Sequence, residues 1–316
     1  MLGHRMRAIG FASWGRMREA LDALECAMAC ARFELKQHRR IAARHGADPW
    51  TTALAYAAFI HSVRGQPEEA WRYSRGALEM ATHIGHAQTQ AYVLTCLAMG
   101  SQLRHEPEPT LKWAEQLHAL ANERSFWIWG SWATIFEGWA RSQLGQPRVG
   151  VELIERELAS WKERGIRLGV PHGLGLLAEI HLKLGRFEEG LAAVHEARAE
   201  QSATGERTYE AELYRVEGEL LRATGRERKA RSRFIHAIET AHKQDAGLFE
   251  LRATSSLCRL LRDTGRLEVA RLVLQRARTR FGEHLDSPDH REASALMKEF
   301  LECAHQGRCA SSALHR

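Results

Sequence analysis

Amphipathic stretches alternate with short polar turns along the chain, and the turns keep a fixed spacing. Gly145, Gly185, Gly225 and Gly265 stand 40 residues apart, in Gln143-Leu-Gly-Gln-Pro, Lys183-Leu-Gly-Arg-Phe, Ala223-Thr-Gly-Arg-Glu and Asp263-Thr-Gly-Arg-Leu. Seven residues before the turn the chain is small (Ala58, Gly138, Ala178, Gly218, Cys258), and five after it small again (Ala70, Gly150, Gly190, Ala230, Ala270). Nine after it come Ile154, Val194, Phe234 and Leu274, and twelve after it Ala77, Ala197, Ala237 and Ala277, with Glu157 the exception. Small residues on facing helices let two axes approach closely, and the larger residue fills the gap between them. A period of this length predicts helix pairs that cannot bury their own apolar faces and must stack on their neighbours.

This small–turn–small–large–small spacing resembles the tetratricopeptide (TPR) repeat. The expected architecture is an all-α, right-handed TPR-like solenoid of about seven helix pairs. Gly65 and Gly15 extend the frame toward the N-terminus, and His105-Glu-Pro-Glu-Pro109 marks a turn whose glycine is missing, since prolines stop the preceding helix. Residues 1–302 read as one solenoid with a truncated first repeat and a long loop at about 33–50. Ser287-Pro-Asp starts a capping helix to about Glu302, serine as N-cap and proline first, and 303–316 is expected to be a frayed tail. The short start predicts that this end packs on something else or follows another segment.

Longer stretches carry a narrower resemblance. Gly165-Ile-Arg-Leu-Gly-Val-Pro-His-Gly-Leu-Gly-Leu-Leu-Ala-Glu-Ile180, Thr204-Gly-Glu-Arg-Thr-Tyr-Glu-Ala-Glu-Leu-Tyr-Arg-Val-Glu-Gly-Glu-Leu-Leu221, Asp286-Ser-Pro-Asp-His-Arg-Glu-Ala and Arg39-Arg-Ile-Ala-Ala-Arg-His-Gly-Ala-Asp-Pro49 are similar to the C-terminal TPR region of bacterial multidomain regulators. In those, a class III adenylate/guanylate cyclase or kinase-like domain and a STAND-type ATPase precede the repeats. The resemblance implies a non-catalytic interaction or sensor module of bacterial signalling, with an ATPase or cyclase domain as a candidate partner.

No phosphate-binding loop is present: Gly145 and Gly150 have the right spacing, but Val151-Glu152 follows where Lys and Ser or Thr are required. His-Glu-x-x-His and Gly-x-Ser-x-Gly are also missing, so no catalytic residue and no cofactor is assigned. Cys303-Ala-His-Gln-Gly-Arg-Cys309 matches no common zinc spacing, and no metal is assigned. Six scattered cysteines, no apolar run of membrane-spanning length and no signal-peptide core predict a cytoplasmic chain with reduced thiols. Of the net charge of +6, residues 1–47 carry +5 (nine Lys/Arg against four acids), and His38–His45 reads as a solvated linker rather than a nucleic-acid track.

In TPR arrays the first helix of each pair lines the concave face. Positions thirteen, ten, six and three before the turn glycine then form a groove. Around Gly65 and Gly145 they include Phe59, Trp132, Ile135 and Trp139; around Gly225 and Gly265 they include Arg215, Arg222, Arg252, Arg259 and Arg262. Trp127 and Trp129 are assigned instead to packing between repeats. An apolar half and a cationic half predict a protein or peptide segment with apolar anchors and acidic residues. A signalling-peptide receptor and a nucleic-acid-binding helical repeat remain the alternatives.

Overall fold

A computed structural model describes residues 1–30, 34–281 and 287–313, the side chains of 280, 281 and 303–313 excepted. Among the described residues there are sixteen α-helices and no strand. Seven antiparallel pairs follow the periodic frame: α1 (Leu2–Ser13) with α2 (Met17–Ala29), then α4 (Pro49–Val63) with α5 (Pro67–Ile84) after an unpaired α3 (Leu35–His45). The next are α6 (Ala87–Leu103) with α7 (Pro107–Arg124), α8 (Trp127–Gln143) with α9 (Pro147–Glu163), and α10 (Val170–Lys183) with α11 (Phe187–Thr204). The last are α12 (Glu210–Ala223) with α13 (Glu227–Gln244) and α14 (Gly247–Asp263) with α15 (Leu267–Phe281), closed by α16 (Pro288–Ala313).

The turns form where they do because the backbone there is left-handed. Gly15, Gly65, Gly145, Gly185, Gly225 and Gly265 all have φ between +70° and +92°, a conformation glycine adopts without the Cβ clash other residues meet. The third turn makes the same shape with His105 at φ 55°. The Arg104 guanidinium holds it by bonding Glu106 on one side and the Ser62 hydroxyl on the other. Close approach follows at the small columns. A Cβ on Gly150 would lie 2.5 Å from the Gly138 carbonyl, and the Cys258 thiol donates to the Ala270 carbonyl. A Cβ on Gly218 would meet the Phe234 ring at 2.4 Å.

Two boundaries differ from expectation. Residues 35–45 of the expected long loop are helical, because Glu34 and Gln37 form a capping box at its start and Gly46 ends it in the left-handed conformation. Buried His38 then pairs with Asp48 at 3.0 Å, and Asp48 in turn caps α4. At the other end α16 continues past Glu302 to Ala313; no proline interrupts 303–313, so the helical ladder can run on. The Ser287 N-cap is as expected, its hydroxyl accepting from the His290 amide. The expected tail beyond residue 313, and the side chains of Cys303, His305 and Cys309, lie outside the described residues.

Helices α4, α6, α8, α10, α12 and α14 form an inner row, each touching the next, while α5, α7, α9, α11 and α13 pack outside their own partners. The inner row curls until its ends meet. Helix α4 touches α14, and a Cβ on Gly65 would lie 3.2 Å from the Leu248 amide. Arg64 pairs with Asp245 at 2.9 Å. The end of α1 is held from the far side: Thr208 and the Arg207 amide donate to the carbonyls of Ala12 and Ser13. The concave face is therefore the interior of a closed coil.

Candidate binding channel

Closure sorts the groove positions into two halves. The first is an aromatic cavity of about 300 Å³ lined from α1, α4, α6, α8, α10 and α14 and from the segment just before α12. Its walls include Tyr56, Phe59, Tyr92, Met99, Trp129, Trp132, His172, Tyr209 and Phe249. Phe59 and Trp132 of the expected groove are among these lining residues. Trp129, assigned to packing, also faces the cavity, whereas Trp127 is exposed beneath the Arg164 guanidinium. Ile135 and Trp139 do not reach the cavity. Both are buried, and the Trp139 indole donates to Glu179 at 3.3 Å.

Trp132 is positioned by a glycine. Gly169, the N-cap of α10, has φ +84°, and a Cβ there would sit 2.4 Å from the indole ring. Trp161 meets the same indole edge-on at 4.9 Å. The Gly169 amide donates to Glu206 at 2.9 Å, bringing that carboxylate to the cavity wall. Burial raises the Glu206 pKa, and the single amide bond only partly offsets it.

The second half is filled by ion pairs. Buried Arg215 bridges Glu212 at 2.8 Å and Glu179 at 2.7 Å. Arg252 grips Asp289 of α16 through two bonds of 2.6 and 2.9 Å, and also reaches the Leu103 carbonyl across the channel. Arg259 bonds Glu219 and Glu292; Arg222 bonds Glu219 and Asp263; Arg262 bonds Glu299 and Asp263. All five arginines of the expected cationic face are thus matched by carboxylates of the chain itself.

Where the halves meet, His172 lies 3.0 Å from the Gln102 side chain, its rings 4.5 Å from Tyr209. Burial pushes the His172 pKa down to about 4. Burial and the nearby arginines hold His105, stacked on Trp139, down to about 3. Both imidazoles are neutral at pH 7. The Gln102 amide nitrogen, the Tyr209 hydroxyl, one Glu212 oxygen and one Arg252 nitrogen are buried with no hydrogen-bond partner.

The wall residues the sequence reading passed over had a signal. Counting the same four offsets back from His105 gives Tyr92, Thr95, Met99 and Gln102, all in the channel. Counting back from Gly185 gives His172 and Glu179. A further turn back from Gly145, Gly225 and Gly265 gives Trp129, Tyr209 and Phe249.

Among the described residues no group of three His, Cys, Asp or Glu could hold a metal ion, and no helix is long and apolar enough to cross a membrane. The basic patch is partly structural: Arg39 donates to the carbonyls of His83 and Ile84 at the end of α5.

The fold belongs with TPR-type helical-repeat solenoids. A Rap protein complexed with Competence and Sporulation Factor superposes with a TM-score of 0.66 at 9% identity, covering 95% of this chain and 79% of that one. NprR in complex with its cognate peptide NprX gives 0.60 at 10% identity, covering 96% and 83%. A signal-transduction ATPase with a tetratricopeptide repeat sensor, from Pyrococcus horikoshii, gives a TM-score of 0.47 at 15% identity over 90% of this chain and 46% of that one. No family model and no curated protein matches the chain.

Proposed function

We propose that this chain is a non-catalytic binding module that takes a short protein or peptide segment into the aromatic half of its channel. The cavity carries the reading. It is walled by rigid rings, it opens on the concave side of a helical-repeat coil, and two of its lining groups, the Tyr209 hydroxyl and the Trp129 indole N–H, have no hydrogen-bond partner within the chain. Rings of this kind supply large contact area for little lost conformational freedom. Two similar folds are complexed with a named factor, NprR with its cognate peptide NprX and a Rap protein with Competence and Sporulation Factor, which supports a peptide-sensing role.

The apolar anchor of the sequence-based expectation is kept, with Phe59 and Trp132 as contacts and Trp139 as support behind them. An acidic complement would have to displace carboxylates already seated on Arg215, Arg222, Arg252, Arg259 and Arg262, so the charge on the occupant is not set from that side. A place in bacterial signalling, and an ATPase or cyclase domain as partner, rest on the sequence resemblance alone.

Selection from a randomised heptapeptide library tests the reading, with a counter-screen on Met99→Trp, which fills the cavity. Peptides enriched on the wild-type chain should carry bulky apolar residues and lose at least tenfold in affinity on the filled variant. Failure to enrich any sequence, or equal affinity for both proteins, would remove the cavity as the site.

A further inference from the structure

We infer that the occupant of the aromatic cavity carries an organic ammonium group, seated against Glu206. This rests on the binding-module reading and adds the charge of the ligand. Glu206 is 8% exposed and lines the cavity, yet among the described residues its carboxylate accepts only from the Gly169 amide. Other buried acids are matched: Glu212, Glu217, Glu219 and Asp289 each face an arginine, and Asp48 faces His38. Glu206 has no cation among the described residues. A buried carboxylate without a counter-charge is costly, and it is relieved either by taking up a proton, the direction in which burial pushes Glu206, or by a cation that enters the cavity.

The walls suit a cation. Tyr56, Tyr92, Trp129 and Trp132 line the same space, and ring quadrupoles attract ammonium groups. Arg5 of α1 already lies 5.8 Å from the Tyr92 ring centre and bonds Thr52, outside the cavity lining. It is engaged there and leaves Glu206 unmatched. An amine on an apolar body would meet both parts of the site, its body against the rings and its N–H groups on the free carboxylate oxygen. A carboxylate-bearing ligand would meet Glu206 as a like charge.

Ligand-observed NMR titrations of the intact chain decide the matter with three probes that share a phenylethyl body: 2-phenylethylammonium, 2-phenylethanol and 3-phenylpropionate. The ammonium should bind at least tenfold more tightly than the other two. Glu206→Gln, which keeps an acceptor for the Gly169 amide, should abolish that preference and leave the alcohol unchanged. Displacement of the ammonium by Phe-Leu-amide would identify a peptide amino terminus as the source; displacement by acetyl-Phe-Leu-Lys-amide would identify a basic side chain. Equal binding of all three probes, equal displacement by acetyl-Phe-Leu-amide, or a preference that survives Glu206→Gln overturns the inference while leaving the cavity as a binding site. If no probe binds, both readings fall.

Discussion

The two halves of the channel occupy equivalent positions on successive inner helices, yet one holds a cavity and the other is bridged by ion pairs. On α4, α6 and α8 the inward positions carry rings and short side chains, such as Phe59, Thr95 and Trp132. Rings are stiff and cannot stretch across the space in front of them. On α12 and α14 the same positions carry Glu212, Arg215, Arg252 and Arg259, whose long side chains reach a repeat away: Arg215 to Glu179, Arg259 to Glu219. Charge fills space here by reaching, and aromatic surface leaves space by failing to reach. The ionic half is scaffold, and the aromatic half is where a guest fits.

The largest effect should come from breaking the scaffold. Arg252→Ala strands Asp289 as a lone buried charge, and urea denaturation should show a loss of about 3–5 kcal/mol. Replacing both members by apolar residues, Arg252→Met with Asp289→Leu, should recover most of it; if the single and double variants are equally unstable, the pair is not what closes that half. Next is the aromatic side. Gly169→Ala forces a Cβ toward the Trp132 ring in a left-handed backbone, and thermal unfolding should report a cost of about 1–3 kcal/mol. A melting profile unchanged by that variant would mean that Trp132 is not pinned.

A pH titration of stability probes the junction. His172 is neutral in the folded chain down to about pH 4, whereas an unfolded histidine takes up a proton near ~6.5. Between these values the unfolded state binds the extra proton, so stability falls as pH drops, by at most about 1.4 kcal/mol per pH unit for this group. His172→Gln should flatten the slope of urea midpoint against pH in that window. The smallest effect is expected at the open end of the ladder. Arg222, a third exposed, pairs with Glu219 and Asp263 near solvent, and Arg222→Ala should stay within about 1 kcal/mol by the same urea assay.

The local frame was legible because it repeats. Turn glycines, small columns and the Ile154–Val194–Phe234–Leu274 plugs all fall where the period puts them, since neighbouring pairs pack by the same contacts each time. Helix α3 was missed because it stands outside the period; its signals were local, Glu34 with Gln37 and the Gly46-Ala-Asp48-Pro sequence. The fate of the arginines was half visible. Their partners Glu179, Glu219, Asp263 and Glu299 sit 36 to 41 residues away, one repeat, but a period alone does not say whether such charges pair or wait for a ligand. Closure was not legible at all. It depends on the small angle between successive pairs, summed over the array, and the residues it brings together, such as Arg64 and Asp245, share no pattern.

That closure changes what kind of folding problem the chain presents. An open solenoid behaves as a line of units coupled only to their neighbours, and it can fray from either end. Here the Thr208 hydroxyl reaches Ala12 across 196 residues, and Arg64 reaches Asp245 across 181. The second repeat therefore draws support from the sixth, and opening one junction weakens two distant parts of the sequence together. Such long-range contacts slow folding, because the intervening chain must be ordered before they can form. In return they couple distant repeats, so a single unfolding transition, the all-or-none melting of a globular domain, is the expected signature of a string of repeats that has become a ring.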